Sequence, residues 1–515
     1  MNNTNILELE ESIYLLNSAI ASITTYIYTI PGSAIVFRYI KDRYRDDPFR
    51  VVLELFLVFF ALRYLLAKKY RIGDNSIKLT EREVDELVEE WQPEPLVPQL
   101  TEQQKWELTK VPIISGGHGH KVKLVNGKTQ LLNLASYNFL GLVANEEIKE
   151  KAIKILRSYG VGACGPPGFY GTLDVHMQLE KDLAQFLGTT EAIIYAQGFA
   201  TISSTIAAFS KRGDIIVVDE GVNFGIQKGC QISRSIVRWY KHNDMEDLER
   251  VLEEIRVDQL RKKKPLTRRF IVTEGLFANY GDITPLPKLI ELKKKYRYRL
   301  ILDESFSIGV LGKRGAGLTD HFDVSPSEVD MIVGSMCNAF GSSGGFCAGN
   351  TEIVDHQRLS GNAYVFSAAL PAMLAVSTSE ALSILSKTPS LMTELQAHTR
   401  AFYKTLTSGS LERLVTLSSD PSSPMIHMRI RETLLHRYGE RIGREEEERI
   451  LQDIVDEASQ NGVLLTRAKY VVDQERDAPR PSIRICVCAA LTRKENDRAA
   501  GVVKSAVQKV LSKRR

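Results

Sequence analysis

The 515-residue chain has little of what marks a specialised protein class. Its six cysteines (Cys164, Cys230, Cys337, Cys347, Cys486 and Cys488) have neither the density of a disulfide scaffold nor the paired spacing of a metal site. Cys486-Val-Cys488 alternates along an apparent strand, so these thiols read as small buried hydrophobes in a reducing compartment. Net charge is scarce too: 67 basic and 63 acidic residues leave +4, which excludes a global field for nucleic acid. Long apolar runs are nearly absent, with one exception near the N-terminus.

That exception is Val51–Ala67, VVLELFLVFFALRYLLA, followed by Lys68, Lys69 and Arg71. As a helix it would extend about 25 Å, a little short of a ~30 Å hydrocarbon core. Glu54 and Arg63 are costly in lipid unless they snorkel or find partners. No cleavage site follows, so the segment 49–70 is expected to span a membrane, with a buried core helix as the alternative. Basic residues on both sides leave the orientation open. The preceding residues 1–48, broken at Pro31-Gly32, suit an amphipathic segment on a membrane surface. Residues 71–130 read as linker and arm, with an acidic helix over Thr80–Glu90 and a proline-stiffened connector over Trp91–Pro98.

From Leu131 onward, β-branched runs alternate with helical patterns. The runs are Ala192–Ala196, Asp214–Glu220, Ser235–Tyr240, Arg269–Gly275, Tyr298–Glu304 and Met331–Ser335; Met245–Val257 and Pro287–Lys295 are helical. Alternation of this kind predicts an α/β body with a largely parallel sheet over 131–390, whose sites gather at the carboxyl ends of strands. After about Ser390, charged helices and the strand-like PSIRICVCAALT predict a smaller C-terminal α+β domain over 391–515. The run Arg261–Arg269, RKKKPLTRR, reads as an exposed loop, with a lipid or nucleic-acid contact as the alternative.

Three stretches carry chemistry. Ile332–Asn350, IVGSMCNAFGSSGGFCAGN, reads as strand, polar turn, glycine-rich loop and second strand. Leu302-Asp-Glu-Ser-Phe-Ser307 ends a strand on Asp303. Tyr159–Thr172, YGVGACGPPGFYGT, sets five glycines around Pro166-Pro167, a density that lets backbone approach a ligand or another chain.

Together these resemble the α-oxoamine synthases, pyridoxal-phosphate (PLP) enzymes that join an amino acid to an acyl-CoA with loss of CO2. In that family the residue three before Gly341 is the Schiff-base lysine; here it is Asn338, whose amide has no basic lone pair. Family histidines beside the cofactor are matched by Phe224 and Phe306, while the pyridinium-binding aspartate is matched by Asp303. With its neighbours replaced, Asp303 reads either as a vestigial cofactor contact or as a strand-end cap for local backbone donors. Arg484 matches the arginine that pairs with the substrate carboxylate, yet Leu491 stands where a histidine follows, so a structural role is equally open.

The form C-G-P-x-G-F-Y-G-T-x-D-V-H, with Tyr364-Val-Phe-Ser-Ala-Ala-Leu-Pro371 and Trp91–Pro98, is similar to one branch only. These are the lysine-less long-chain-base subunits of serine palmitoyltransferase, and the resemblance covers most of residues 84–500. It implies a fold type I PLP-transferase large domain, a smaller C-terminal domain and an N-terminal membrane helix. It further implies an obligate heterodimer with a lysine-bearing sister subunit, which holds most of the PLP contacts, condensing L-serine with palmitoyl-CoA to 3-ketodihydrosphinganine. This chain would contribute Tyr159, Cys164, Gly165, Pro166, Pro167, Gly168, Phe169, Tyr170, Thr172 and Ser367 to the partner's site. Cys164, with no base adjacent in sequence, reads as an interface residue rather than a nucleophile. Expected surroundings are the endoplasmic reticulum membrane with the body in the cytosol, a small activating subunit and Orm-type regulatory membrane proteins. No metal and no nucleic acid are expected. An autonomous synthase of the same family and a non-enzymatic membrane scaffold are the rival readings.

Overall fold

Short runs of buried β-branched residues, each closed by a polar turn, set the architecture. The computed structural model describes residues 29, 31–66, 79–125, 127, 129–262, 265, 267–437 and 440–512. Two units separate, Met1–Gln99 and Leu100–Arg515.

In the larger unit seven strands form the central sheet: β1 (Glu191–Tyr195), β2 (Ile215–Asp219), β3 (Ile236–Tyr240), β4 (Arg269–Glu274), β5 (Arg299–Asp303), β6 (Met331–Ser335) and β7 (Gly345–Gly349). Their order is β1-β7-β6-β5-β4-β2-β3. Neighbours from β6 through β3 pair in parallel, whereas β7 runs antiparallel to both β1 and β6. Six of these lie where the β-branched runs predict them, and β7 is the second strand expected before Asn350. Strand side chains alternate between two cores: Val217, Ile271 and Leu300 face one, Ile216, Val272 and Ile301 the other. Burial on both faces is why β2 reads as an unbroken apolar run.

Helices cover both faces. Gly198–Phe209 and Phe224–Ser233 pack on one side; Asp174–Leu187, Met245–Lys262 and Leu286–Tyr296 pack on the other. After Ser390, helices Ser390–Leu406, Arg444–Gln460 and Arg493–Ser512 enclose a separate core against a sheet of Val415–Leu417, Met425–Ile430, Ile483–Cys486 and Thr466–Arg467. The run PSIRICVCAALT pairs as a strand only over Ile483–Cys486. Beyond it the backbone turns to Phe139, through Ala489 N to Phe139 O at 2.7 Å. Val463–Leu464 pairs in parallel with Gln130–Asn133, which stitches the residues around 130 to the C-terminal part.

In the smaller unit, helices span Ser33–Asp46, Pro48–Leu66 and Glu81–Glu90. The last is closed by a capping box in which Thr80 and Glu83 satisfy each other's backbone. Residues 1–28, 30 and 67–78, including Lys68, Lys69 and Arg71, lie outside the described residues, as do 263, 264 and 266 of the basic loop. Among the described residues no helix is long and apolar enough to cross a membrane. Pro48–Leu66 has 19 residues, but Arg50, Glu54 and Arg63 interrupt its apolar character.

Candidate functional site

The carboxyl ends of the parallel strands converge on one cluster of acids and amides. Asp303 ends β5 and Glu274 ends β4, opposite each other in register. Both carboxylates are buried. Between them stands Asn223, the N-cap of helix Phe224–Ser233, with its side-chain oxygen accepting from Ile226 N at 3.2 Å. Its side-chain amide donates to Asp303 Oδ2 at 2.9 Å, and its backbone N–H donates to Glu274 Oε1 at 2.6 Å. Ser305 N and Ala278 N satisfy the remaining oxygens at 2.9 and 3.0 Å. Burial, and then the neighbouring Asp303 charge, push Glu274 up to about 8; burial raises Asp303 as well.

Asn338 lies beside this cluster, in the turn after β6. Its amide donates to the Ser305 carbonyl at 2.8 Å, so the turn carrying Asn338 and the turn carrying Asp303 and Ser305 are pinned together. The stretch from Ser335 to Gly345 contains no lysine. Gly344, at φ 87°, is required here, because a Cβ would strike the Tyr195 carbonyl.

The two phenylalanines take up aromatic neighbours. Phe306 packs edge-on against Tyr137 at 4.9 Å between centroids, and Phe224 lies 6.1 Å from Phe199. Arg484 stacks its guanidinium 4.1 Å from the Tyr137 ring centre, bonds the Tyr137 hydroxyl, and donates to Ala135 O at 3.0 Å. These contacts hold the segment 135–137 to the strand Ile483–Cys486. Desolvation pushes Tyr137 up to about 12, with the Arg484 charge opposing it.

The glycine-rich loop is bound tightly to itself. Phe169 N and Gly171 N both donate to Pro166 O, at 3.0 and 3.1 Å, and Gly168 N donates to Thr172 Oγ1 at 3.2 Å. Ala369 N donates to Gly165 O at 3.0 Å, tying the loop to the segment that carries Ser367. A Cβ on Gly171 would collide with the Gly165 carbonyl, which explains the pair of glycines. Tyr159 bonds Asp174 at 3.0 Å. Cys164 is exposed at φ 55°, and no described base bonds its thiol. Cys230, Cys347, Cys486 and Cys488 are buried, and burial drives each thiol well above its ordinary range.

Behind Pro167, Gly168 and Thr172 opens a cavity of about 490 Å3, walled by His176, Ile194, Tyr195 and Leu370. Its charged groups, Arg358 and Glu180, pair with each other at 2.8 Å. The structure thus pins Asn338 beside the turn of Asp303, joins Phe306 and Arg484 through Tyr137, and sets Pro167, Gly168 and Thr172 of the loop 159–172 beside an open cavity, with Ser367 two residues from the Ala369 that bonds the loop. Glu274, Ser305 and Tyr137 were not singled out by sequence. A lone acid closing a buried apolar run was the available signal for Glu274.

The chain matches the family Aminotransferase class I and II over residues 129–503. It is 44% identical over 449 residues to serine palmitoyltransferase 1 of Dictyostelium discoideum, covering 87% of this chain and 92% of that protein. With serine palmitoyltransferase 1 of Saccharomyces cerevisiae it shares 40% over 514 residues, 93% and 92% of the two chains. With long chain base biosynthesis protein 1 of Arabidopsis thaliana it shares 44% over 352 residues, 68% and 71%. Among solved structures, Sphingomonas wittichii serine palmitoyltransferase superposes with a TM-score of 0.68 at 21% identity, over 79% of this chain and 96% of that one. The 8-amino-7-oxononanoate synthase of Francisella tularensis gives 0.58 at 22%, over 74% and 98%. A variant serine palmitoyltransferase of this fold from S. paucimobilis carries a bound PLP–myriocin aldimine.

The residues of this chain do not fit a covalently held PLP. The turn after β6 offers no amine, its amide is engaged by Ser305, and both oxygens of Asp303 are engaged by its own neighbours. Asp303 accepts from Ser305 N and from the Asn223 side-chain amide, both groups of this chain.

Proposed function

The chain belongs to the class I and II aminotransferase family, within the group named serine palmitoyltransferase 1, and from that premise we propose that it is the lysine-less subunit of a serine palmitoyltransferase. A lysine-bearing sister subunit holds PLP and condenses L-serine with palmitoyl-CoA to 3-ketodihydrosphinganine, releasing CO2 and CoA. This chain supplies surface. The observation that carries the reading is the closure of its own cluster: Asn338 bonds Ser305 and Asp303 is capped, whereas the glycine-rich loop beside the open cavity stays solvent-facing.

In this division of labour Cys164–Thr172 shapes the mouth through which acyl-CoA and serine reach the partner's site. Ser367 presents its hydroxyl toward the partner's cofactor phosphate. Asn338, Phe224, Phe306 and Arg484 keep the silent half folded. Pro48–Leu66 attaches the complex to the endoplasmic reticulum membrane with the body in the cytosol. Its Phe56, Leu57, Phe59 and Phe60 are exposed in the chain, and Glu54 is paired to Arg50 at 3.0 Å, which lowers the cost of lipid contact. Attachment suits a substrate whose acyl chain favours lipid by about 0.8 kcal/mol per CH2. A small activating subunit and Orm-type regulators complete the proposed assembly.

The test is affinity purification of the full chain from detergent-solubilised membranes, with partner identification by mass spectrometry and a serine-plus-palmitoyl-CoA assay. A lysine-bearing homologue in the eluate, activity in the complex and none in the chain alone are expected. Activity of the chain alone would establish an autonomous synthase instead. Copurification without any such homologue would leave a scaffold.

A further inference from the structure

At the opposite end of the central sheet from Asp303 and Glu274, the segments that lead into β2, β3 and β4 gather four cations. The buried Asp214 accepts from Lys211 N and Arg268 N, both at 3.0 Å, and the Ser235 hydroxyl donates to Lys211 O at 3.1 Å. Lys211, Arg212, Arg234 and Arg268 are thereby brought together, all exposed, and among the described residues no carboxylate forms an ion pair with any of them. The helix beside them, Met245–Lys262, is balanced instead: Arg250 pairs with Glu254 at 2.5 Å and Lys262 with Asp258 at 2.6 Å. Between that helix and the edge strand β3 opens a cavity of about 680 Å3, walled by Ile215, Ile236, Val251 and Ile255. Ile236 is 42% exposed, and Ile232, two residues before Arg234, is 55% exposed. Uncompensated cations set among exposed aliphatic carbon match an anionic lipid interface, where phosphates take the charge and acyl carbon the apolar surface.

We propose that this face docks on an anionic phospholipid membrane, lipid phosphates meeting Lys211, Arg212, Arg234 and Arg268 while Ile232, Ile236 and the cavity take up acyl carbon. Such docking needs neither the partner subunit nor Pro48–Leu66, and it gives the body a membrane contact of its own. Nucleic acid also seeks cations, but the side chains around these four do not suit it. Single strands are held by stacking bases on exposed rings, and the aromatic ring on the cavity wall, Trp239, is already stacked against the Arg476 guanidinium at 4.6 Å. Arg268, near the end of the basic run Arg261–Arg269, is steadied by its Nη1 donating to Phe209 O at 2.9 Å, a neutral partner that leaves its charge uncancelled. The attraction is electrostatic at its outset, so it weakens as salt screens it over about 8 Å at physiological ionic strength. The docked face lies at the amino ends of the parallel strands, which leaves their carboxyl ends, with Asp303 and Glu274, clear of the lipid.

The test reconstitutes the full chain in vesicles of equal parts phosphatidylcholine and phosphatidylserine, with a trace of phosphatidylserine carrying a photoreactive acyl chain, and maps the crosslinks by mass spectrometry. Crosslinks are expected within residues 209–215, 232–238 and 251–259, besides any in Pro48–Leu66. The triple variant Lys211→Glu, Arg212→Glu, Arg234→Glu should lower those in the body about tenfold or more, with the unfolding temperature unmoved. Raised salt, and vesicles of phosphatidylcholine alone with a photoreactive phosphatidylcholine, should lower them in the unsubstituted chain, a comparison that does not depend on the variant folding. Crosslinks confined to Pro48–Leu66, or body crosslinks equally strong from neutral vesicles, would overturn the docking. Retention of a single-stranded oligonucleotide that the triple variant loses, without lipid crosslinks in the body, would assign the face to nucleic acid and overturn it as well. Body crosslinks without any in Pro48–Leu66 would remove the attachment proposed for that helix and support the docking of the body.

Discussion

Asn338 turns its side-chain amide toward the Ser305 carbonyl, 2.8 Å away, and so joins two turns that lie 33 residues apart. That bond gives the residue a structural role that does not need a cofactor. Asn338→Ala should lower the chain's stability by about 1 kcal/mol, the usual net worth of a hydrogen bond, and leave the activity of the complex unchanged. Asn338→Lys should not make the isolated chain active, because Asp303 remains capped by Ser305 and Asn223 and both flanking rings remain phenylalanine. Urea unfolding and the condensation assay check both; loss of complex activity in Asn338→Ala would contradict the silent role.

Cys164 presents the opposite case, exposed and held at φ 55° in the glycine-rich loop. Cys164→Trp should leave the chain's own stability within about 0.5 kcal/mol, as exposed positions usually do. It should sharply lower kcat/KM of the complex by filling the mouth. A variant equally impaired in folding and in activity would place the thiol in packing instead.

What the sequence made legible, and what it did not, follows from range. The strands β1 to β6 were predicted within two residues because each is a buried β-branched run closed by turn residues. The bonds from Asn223 to Asp303 and from Asn338 to Ser305 link residues 80 and 33 apart and leave no local periodic trace. Glu274 becomes important only through its register opposite Asp303. Val463–Leu464, two residues long, is too short to display any alternation. Helix Met245–Lys262 outran its expected end at Val257 because the charged tail continues the helical pattern.

The buried acids make stability depend on pH in a defined direction. Desolvation, with the Asp303 charge, carries Glu274 up to about 8, and desolvation carries Glu304 up to about 7, from an ordinary value near 4.5. Between about pH 4.5 and 8 the folded chain keeps protons that the unfolded chain has released, so stability falls as pH rises through that window. Glu274→Gln should flatten the decline, even though an amide leaves one of the Asn223 and Ala278 N–H donors poorly matched. Thermal unfolding midpoints taken across the window check this; an unchanged slope would rule out Glu274 as its source.

His242 has the same sign for a different reason. Burial alone would lower it, but hydrogen bonds to Asp219 at 2.8 Å and Asp282 at 3.3 Å outweigh that and carry it up to about 9. The ring also stacks on Tyr280 at 4.0 Å, and the Tyr280 carbonyl accepts the hydroxyls of Ser418 and Ser419, so one imidazolium ties β2, the 280–282 turn and the C-terminal part together. Its contribution is complete below the unfolded pKa near 6.5 and is lost as pH rises through about 9. His242→Ala should therefore cost about 3 kcal/mol at pH 6, the lower end for a broken buried ion pair because the ring is partly exposed. The difference from wild type should shrink steadily toward pH 9. His242→Gln, which keeps a neutral donor, should recover part of the loss and show little pH dependence of its own. A gap that stays constant from pH 6 to pH 9 would mean that the ring acts by packing on Tyr280 and Phe277, not by its charge.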